Sequence, residues 1–220
     1  MPITFKFLTV KSVPRLSWSA PRALTLRPPF RSFLGLVFGL ILFGLGEALL
    51  VAAGIGVSPW TVLAEGIAKT ADLSLGITTF LISLSVLILW IPLRQTPGLG
   101  TLLNALISAF MLDFSLPYLP RPEDLLLQIF LAFLGVFTTG LGGAIYLIAN
   151  LGSGPRDGLM TGLQALSGLP LALVRSVLEV MVVLAGFALG GTLGLGTLFF
   201  AFGIGPAIAF CLSVLSHLFK

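Results

Sequence analysis

The stretch that decides the fold is Gly152-Ser153-Gly154-Pro155-Arg156-Asp157-Gly158, which separates two long apolar segments. Gly154 suits an N-cap, and Pro155 suits the first helical position because the N–H that it lacks would have no partner there. The chain has the same pattern at Gly56-Val57-Ser58-Pro59-Trp60, 96 residues earlier (155 − 59 = 96). We therefore predict two copies of one unit, each built around such a short helix.

The composition predicts a membrane protein. The chain has 220 residues, of which 57% are hydrophobic and 9% are charged, whereas a soluble domain carries about 25% charged residues. Its apolar runs approach or exceed the roughly 20 residues that a helix needs to cross a bilayer. The alternating segments of about 10 residues that are typical of a membrane barrel do not occur. We therefore expect an all-α, polytopic bundle of membrane helices.

The reactive residues are few and badly placed for catalysis. Cys211 is the one cysteine, and His217, the one histidine, lies three residues from the C-terminus. We therefore expect no enzyme, no catalytic residue, no metal and no cofactor. The net charge of +4 comes with a basic N-terminus, which is a signal for orientation in the membrane and not for a nucleic-acid partner.

The chain divides into three parts: a basic cytoplasmic tail (1–31), a first membrane repeat (32–120) and a second membrane repeat (121–220). The tail is either a patch that lies on anionic lipid or a disordered segment that only sets the topology, and we favour the second. Each repeat contains three long segments, at about 33–55, 75–93 and 98–116, and then at about 125–149, 169–189 and 193–215. The two short helices span about 58–72 and 155–167. They reach only about 20 Å and are either re-entrant or interfacial.

A fixed offset of 96 residues relates the two repeats. It places Gly39 on Gly135 and Pro59 on Pro155, and it aligns the run Gly98-Leu99-Gly100-Thr101-Leu102 with Gly194-Leu195-Gly196-Thr197-Leu198. Such an offset indicates duplication. With three crossings each, the repeats are inverted and both termini are cytoplasmic. If the short helices also crossed, the repeats would be parallel.

Several motifs resemble the uncharacterised bacterial membrane family YczE, with YyaS and YitT as wider relatives. They are Ser58-Pro59-Trp60, Gly154-Pro155-Arg156-Asp157-Gly158, Val174-Arg175 with Leu178-Glu179, and Gly194 with Gly196-Thr197. The resemblance covers roughly residues 33 to 212. It implies a multi-pass protein of the bacterial inner membrane, with no established activity. Thr61 departs from the pattern, because an acid is expected there.

The candidate substrate-binding residues are Glu47, Pro59, Trp60, Pro155, Arg156, Asp157, Arg175 and Glu179. Arg156 either binds an anionic group at the helix N-terminus or meets lipid phosphate, with Asp157 capping the turn. Arg175 and Glu179 share a helix face and must point into the bundle, as a structural ion pair or as a site. Glu47 is an intramembrane acid without a partner nearby in the sequence. Trp60 and Trp90 look more like interface anchors than binding residues.

These features favour a small-molecule transporter or exporter with a site between two inverted repeats. The alternative is a non-transporting accessory or regulatory membrane subunit. The expected partners are the lipid bilayer and a small anionic or polar solute, and the sequence leaves a homo-oligomer open. An intramembrane enzyme is the least favoured class.

Overall fold

The computed structural model describes residues 13–25 and 27–219, and its regular elements in this part of the chain are all helices. They are α1 (Phe30–Ala53), α2 (Pro59–Ala71), α3 (Leu75–Trp90), α4 (Leu99–Tyr118), α5 (Leu125–Ala149), α6 (Pro155–Ser167), α7 (Leu171–Ala188) and α8 (Leu195–Leu218). The predicted all-α fold is confirmed for these residues. What was expected of residues 1–12, Leu26 and Lys220, at the basic tail and the C-terminus, lies outside the described residues.

Five of the helices have the length and apolar composition of membrane spans: α1, α4, α5, α7 and α8. The short helix α2 and its successor α3 meet the same criterion only together, and they are bent by 114° at their junction. Helix α3 has 16 residues, which reach about 24 Å. The prediction of membrane helices is thus confirmed, while a sixth crossing depends on α3.

Both short helices form where the sequence predicts them. Each has 13 residues, an N-cap at Ser58 or Gly154 and a proline at the first position. Neither N-cap residue makes a side-chain capping bond, so the free N–H groups of both first turns point out of the helix ends. The length of about 20 Å is too small for a full crossing.

The centre of the fold is the close packing of α1 against α5. Gly39 faces Gly142, and Gly46 faces Gly135, so the two helices run antiparallel. A Cβ atom added at Gly142 would lie 2.4 Å from the backbone nitrogen of Phe43. Glycine is therefore needed for the contact itself, as in small-residue packing between membrane helices.

The loop after each of these two helices is held by a helix from the other half of the sequence. Gly56 and Gly152 have φ angles of 115° and 118°, which glycine adopts without strain. Gly56 packs on the start of α8, and Gly152 packs on the start of α4. The two hydrogen bonds run from Gly196 N–H to Ile55 O (2.8 Å) and from Gly100 N–H to Leu151 O (2.7 Å).

Part of the tail before α1 is packed on the helices. Ala20 is buried, and its N–H donates to the carbonyl of Ala149 at 3.0 Å. The hydroxyl of Ser32 donates to the carbonyl of Trp18 at 2.5 Å. The favoured alternative, a disordered tail, is therefore wrong for this stretch, because its apolar side chains and backbone groups find partners at the ends of α1 and α5. Helix α1 also begins at Phe30 instead of about residue 33.

Replacing Gly142 by alanine should destabilise the protein, and the neighbouring change Gly143→Ala should not. A Cβ at 142 meets backbone atoms, whereas a Cβ at 143 meets only side-chain atoms, of Ile208 at 3.4 Å and of Phe43 at 3.9 Å. We expect about 1–3 kcal/mol of destabilisation from overpacking at 142. At 143 the better helix propensity of alanine should offset any strain. Thermal unfolding of the two variants in detergent tests this, and equal unfolding temperatures would contradict the packing described for α1 and α5.

Candidate functional site

A cavity of about 420 Å³ lies between the two halves of the sequence. All eight helices contribute to its wall, through Phe43, Trp60, Thr79, Asn104, Tyr146, Arg156, Arg175 and Ile204 among others. Six of the predicted site residues line it: Trp60, Pro155, Arg156, Asp157, Arg175 and Glu179. Pro59 and Glu47 do not lie on the cavity wall.

Arg156 and Trp60 meet at the centre of this site. The guanidinium carbon of Arg156 lies 5.3 Å from the centroid of the Trp60 ring, which is the geometry of a cation–π contact. The two residues are the second residues of the two short helices. Among the described residues, the Arg156 side chain forms no ion pair and no hydrogen bond. Since arginine stays charged in proteins, it presents an unmatched set of donors to the cavity.

Asp157 has a partner of its own. The hydroxyl of Tyr146 on α5 donates to Asp157 Oδ2 at 2.9 Å. Asp157 also lies in the first turn of α6, where a negative charge interacts favourably with the helix dipole. The pair therefore fixes the start of α6 against α5. Sequence reasoning missed Tyr146, whose only signal was a polar aromatic within a long apolar segment.

Glu47 is held by hydroxyl groups at the start of α2. Its side chain is buried, and the hydroxyls of Ser58 and Thr61 both donate to Oε2 at 2.7 Å. The other oxygen, Oε1, has no partner among the described residues. Neither the carboxyl group of Glu47 nor that of Asp157 lies within 4.0 Å of the Arg156 nitrogens. Thr61 thus supplies a hydroxyl donor where the family pattern led us to expect an acid.

The expectation that Trp60 and Trp90 are interface anchors is wrong. Their exposed fractions are 7% and 3%. Trp90 donates from Nε1 to the carbonyl of Pro155 at 2.9 Å, and its ring lies against Gly158. Both residues stand near the ends of helices in the sequence, but the start of α6 packs against them and they are buried.

Arg175 and Glu179 form an ion pair on the cavity wall. Arg175 Nε lies 2.8 Å from Glu179 Oε1, and the side chains are 46% and 20% exposed. The pair therefore faces the cavity, but the arginine is more open than an interior position would leave it. Because the two charges neutralise each other, they do not satisfy Arg156.

Two further polar groups on the wall have no partner among the described residues. They are the hydroxyl of Thr79 and the indole N–H of Trp60, and both residues are more than nine-tenths buried. Both atoms are themselves buried, although their residues line the cavity. In the described part of the chain, no group of histidine, cysteine, aspartate and glutamate side chains is arranged to hold a metal ion.

Comparison with known proteins places the chain among uncharacterised membrane proteins. The model of a family described as "Family of unknown function (DUF6198)" matches residues 30–213. An "Uncharacterized protein" of Haemophilus influenzae is 41% identical over 209 residues, which are 95% of each chain. No solved structure gives a significant match.

Two proteins of Bacillus subtilis are more distant relatives. The "Uncharacterized membrane protein YczE" is 31% identical over 79% of this chain and 82% of its own length. The "Uncharacterized protein YyaS" is 30% identical over 73% of this chain and 82% of its own length. These matches confirm the resemblance that the motifs indicated. Together with its apolar helices, they show that the chain is an integral membrane protein and belongs to the family of unknown function DUF6198, with YczE and YyaS as relatives.

Proposed function

We propose that this protein is a transporter of small solutes that carry an anionic group, with its site in the cavity between two inverted repeats. The observation that carries the proposal is the unmatched guanidinium of Arg156 on the cavity wall. The proposed location is the bacterial inner membrane, with six crossings and both termini in the cytoplasm.

The reciprocal contacts between the halves support inverted repeats. Gly39 meets Gly142 and Gly46 meets Gly135, and the offset of 96 residues exchanges one contact for the other. Two contacts that the offset exchanges in this way are expected when a two-fold axis relates the two repeats. Since α1 and α5 run antiparallel, the axis lies perpendicular to them and therefore in the plane of the membrane. This is the symmetry found in many transporters.

The position of Arg156 supports an anion as the ligand. It occupies the second residue of α6, beside N–H groups that have no partner within the helix. Half-helix N-termini of this kind bind anionic substrate groups in transporters. The guanidinium would repel a cationic solute, and a neutral solute would leave the positive charge unpaired. Two residues of the same wall, Trp60 and Thr79, carry buried donors that have no partner among the described residues.

The ring of Trp60 also explains how the Arg156 guanidinium is stabilised when no ligand is bound. A guanidinium without hydrogen-bond partners is costly in an apolar cavity. The ring face compensates part of that cost through the cation–π contact, and it leaves the N–H edges of the guanidinium free. The side chain is thus preorganised for an anion without being closed by a permanent ion pair. We also propose that the protein carries out no chemical reaction and uses no cofactor.

Corresponding loops should lie on opposite sides of the membrane if the repeats are inverted. Thr96 precedes α4 and Thr192 precedes α8, and the two are 96 residues apart (192 − 96 = 96). We expect Thr96→Cys to react with a membrane-impermeant maleimide only in inside-out vesicles, and Thr192→Cys only in intact cells. The native Cys211 is buried and should give a low background. Labelling of both from the same side would show that the repeats are parallel.

Arg156→Gln should weaken anion binding without unfolding the protein. The change removes a charge-assisted contact of about 1.5–3 kcal/mol, so the dissociation constant should rise about 10- to 100-fold. The probes are benzoate and inorganic phosphate, and the readout is their concentration-dependent rise of the unfolding temperature. Arg94→Gln is the control, because it removes the same charge from an exposed position outside the cavity.

The outcome separates two functions. If neither probe stabilises the parent protein, or if both variants respond as the parent does, Arg156 is not a ligand-binding residue. The alternative role as an accessory membrane subunit would then be favoured, since most of the surface of α7 is free to meet another protein.

A further inference from the structure

We propose that the ligand is an amphiphilic anion, a carboxylate or phosphate group attached to an apolar body, which enters the cavity sideways from the bilayer between α7 and α8. This inference rests on the proposed function, because it assigns a substrate class and an entrance to the same cavity. It comes from comparing two helix pairs, α3 with α4 and α7 with α8. The offset of 96 residues relates the first pair to the second, but the two pairs differ in how closely they pack.

The first of these pairs is closed. Helix α3 packs along α4, and the carboxylate of Asp113 on α4 fastens the start of α3. It accepts hydrogen bonds from the hydroxyl of Ser74 and from the N–H of Gly76, the latter at 2.6 Å. Gly76 also lies directly on the backbone of Ala109. The anchor at Asp113 thus holds the start of α3 against α4.

The second pair lacks both side chains of this anchor. The residues 96 positions after Ser74, Gly76 and Asp113 are Pro170, Ala172 and Ala209. Proline has neither a hydroxyl nor an N–H, and the alanine at 209 cannot accept a hydrogen bond from a side chain. Accordingly, α7 packs on α2 and α6 but makes no extensive contact with α8.

The gap between α7 and α8 leads to the cavity. Arg175 and Glu179 of α7 and Phe200, Ile204 and Gly205 of α8 all line the cavity wall. A Cβ atom added at Gly205 would meet no other atom within 4 Å. A side chain at position 205 would therefore extend into open space at the cavity wall. The residue 96 positions earlier is Ala109, which is buried in the closed pair.

The chemistry of the wall fits an amphiphile better than a small ion. Arg156 supplies unpartnered donors for an acidic group. Most of the remaining wall is apolar, with Phe43 and the α8 side chains as its largest members. A volume of about 420 Å³ lies within the range of pockets for drug-sized ligands, about 300–1,000 Å³. An inorganic anion would leave most of this apolar surface uncovered.

The entrance also accounts for the exposure of the ion pair on α7. Charged residues in a membrane helix face the protein interior or a water-filled cavity. Arg175 and Glu179 line the cavity on the α7 side and are bonded to each other. An acidic group passing them meets a neutralised pair, and so it neither stops there nor is repelled before it reaches Arg156.

The test measures how affinity depends on the apolar body. The full-length protein is purified, and its unfolding temperature is recorded against acetate, butanoate, hexanoate and octanoate, with 1-octanol as the probe that lacks the acid. Each methylene that becomes buried should strengthen binding about three- to fourfold. We expect octanoate to bind at least 100-fold more tightly than acetate and 1-octanol to bind weakly. Equal affinities for acetate and octanoate would overturn the amphiphile while leaving the anion site intact.

Gly205→Leu should abolish the tighter binding of octanoate, because the larger side chain fills the gap between α7 and α8. We expect its affinity for octanoate to fall at least tenfold while its affinity for acetate changes less than about twofold. The control is Ala201→Leu, which adds a similar side chain to the exposed face of the same helix and should bind octanoate as the parent does. Melting without ligand verifies that both variants fold. If Gly205→Leu binds octanoate normally, the apolar body does not lie between α7 and α8.

A last arm identifies where the amphiphile comes from. The protein is reconstituted in vesicles of phosphatidylcholine, with or without phosphatidylglycerol, and octanoate binding is measured in both. Competition by phosphatidylglycerol supports a membrane lipid as the occupant, and unchanged binding supports a free amphiphilic acid. If neither acetate nor octanoate binds to the parent protein, the proposed function itself fails, which is a different result from equal binding of the two.

Discussion

The close approach of α1 and α5 is the constraint on which the remaining structure depends. Two glycine contacts bring the backbones of these helices together, and they fix both the distance and the antiparallel direction. Once this pair is set, the loop after each helix emerges at the opposite end of the bundle. The two short helices then approach the centre from opposite ends, and Trp60 and Arg156 meet between them. The cavity is the space that remains around this meeting point.

Irregular backbone inside a membrane protein has to be satisfied by protein groups. The turns before α2 and α6 break helical hydrogen bonding, and they are tolerated because they are covered by the starts of α4 and α8 or line the cavity. The same turns bring polar side chains to the centre. Glu47 is bound by two hydroxyls of the α2 start, and Asp157 is bound by Tyr146. Arg156 is left on the cavity wall with no ion pair or hydrogen bond to the described residues.

The helix boundaries could be predicted well because their signals are local. Proline at the first turn placed both short helices, and α5 forms at the predicted residues 125–149. These signals act within a few residues, so neither the surrounding protein nor the lipid changes them.

The partners of the polar residues could not be predicted, because lipid and protein interior are equally apolar. In a soluble helix, the polar face shows which side is exposed, but in these spans an apolar residue fits either environment. Trp60 and Trp90 were therefore placed at the interface, although both are buried. The hydroxyl partners of Glu47 lie beyond a turn, and Asp113 was not recognised as a helix anchor. Each of these contacts depends on how the helices pack together.

The loop after each central helix is bound by a helix from the other half of the sequence, and this constrains the order in which the chain becomes structured. The carbonyl of Ile55, at the end of the first helix, is bound by Gly196, at the start of the last one. During synthesis, the first half emerges before Gly196 exists, so this carbonyl and the turn before α2 are still without their partners. It must stay in that incomplete state until the final helix enters the membrane. The two halves therefore complete their structure together, after the last helix has entered the membrane, and do not fold in succession.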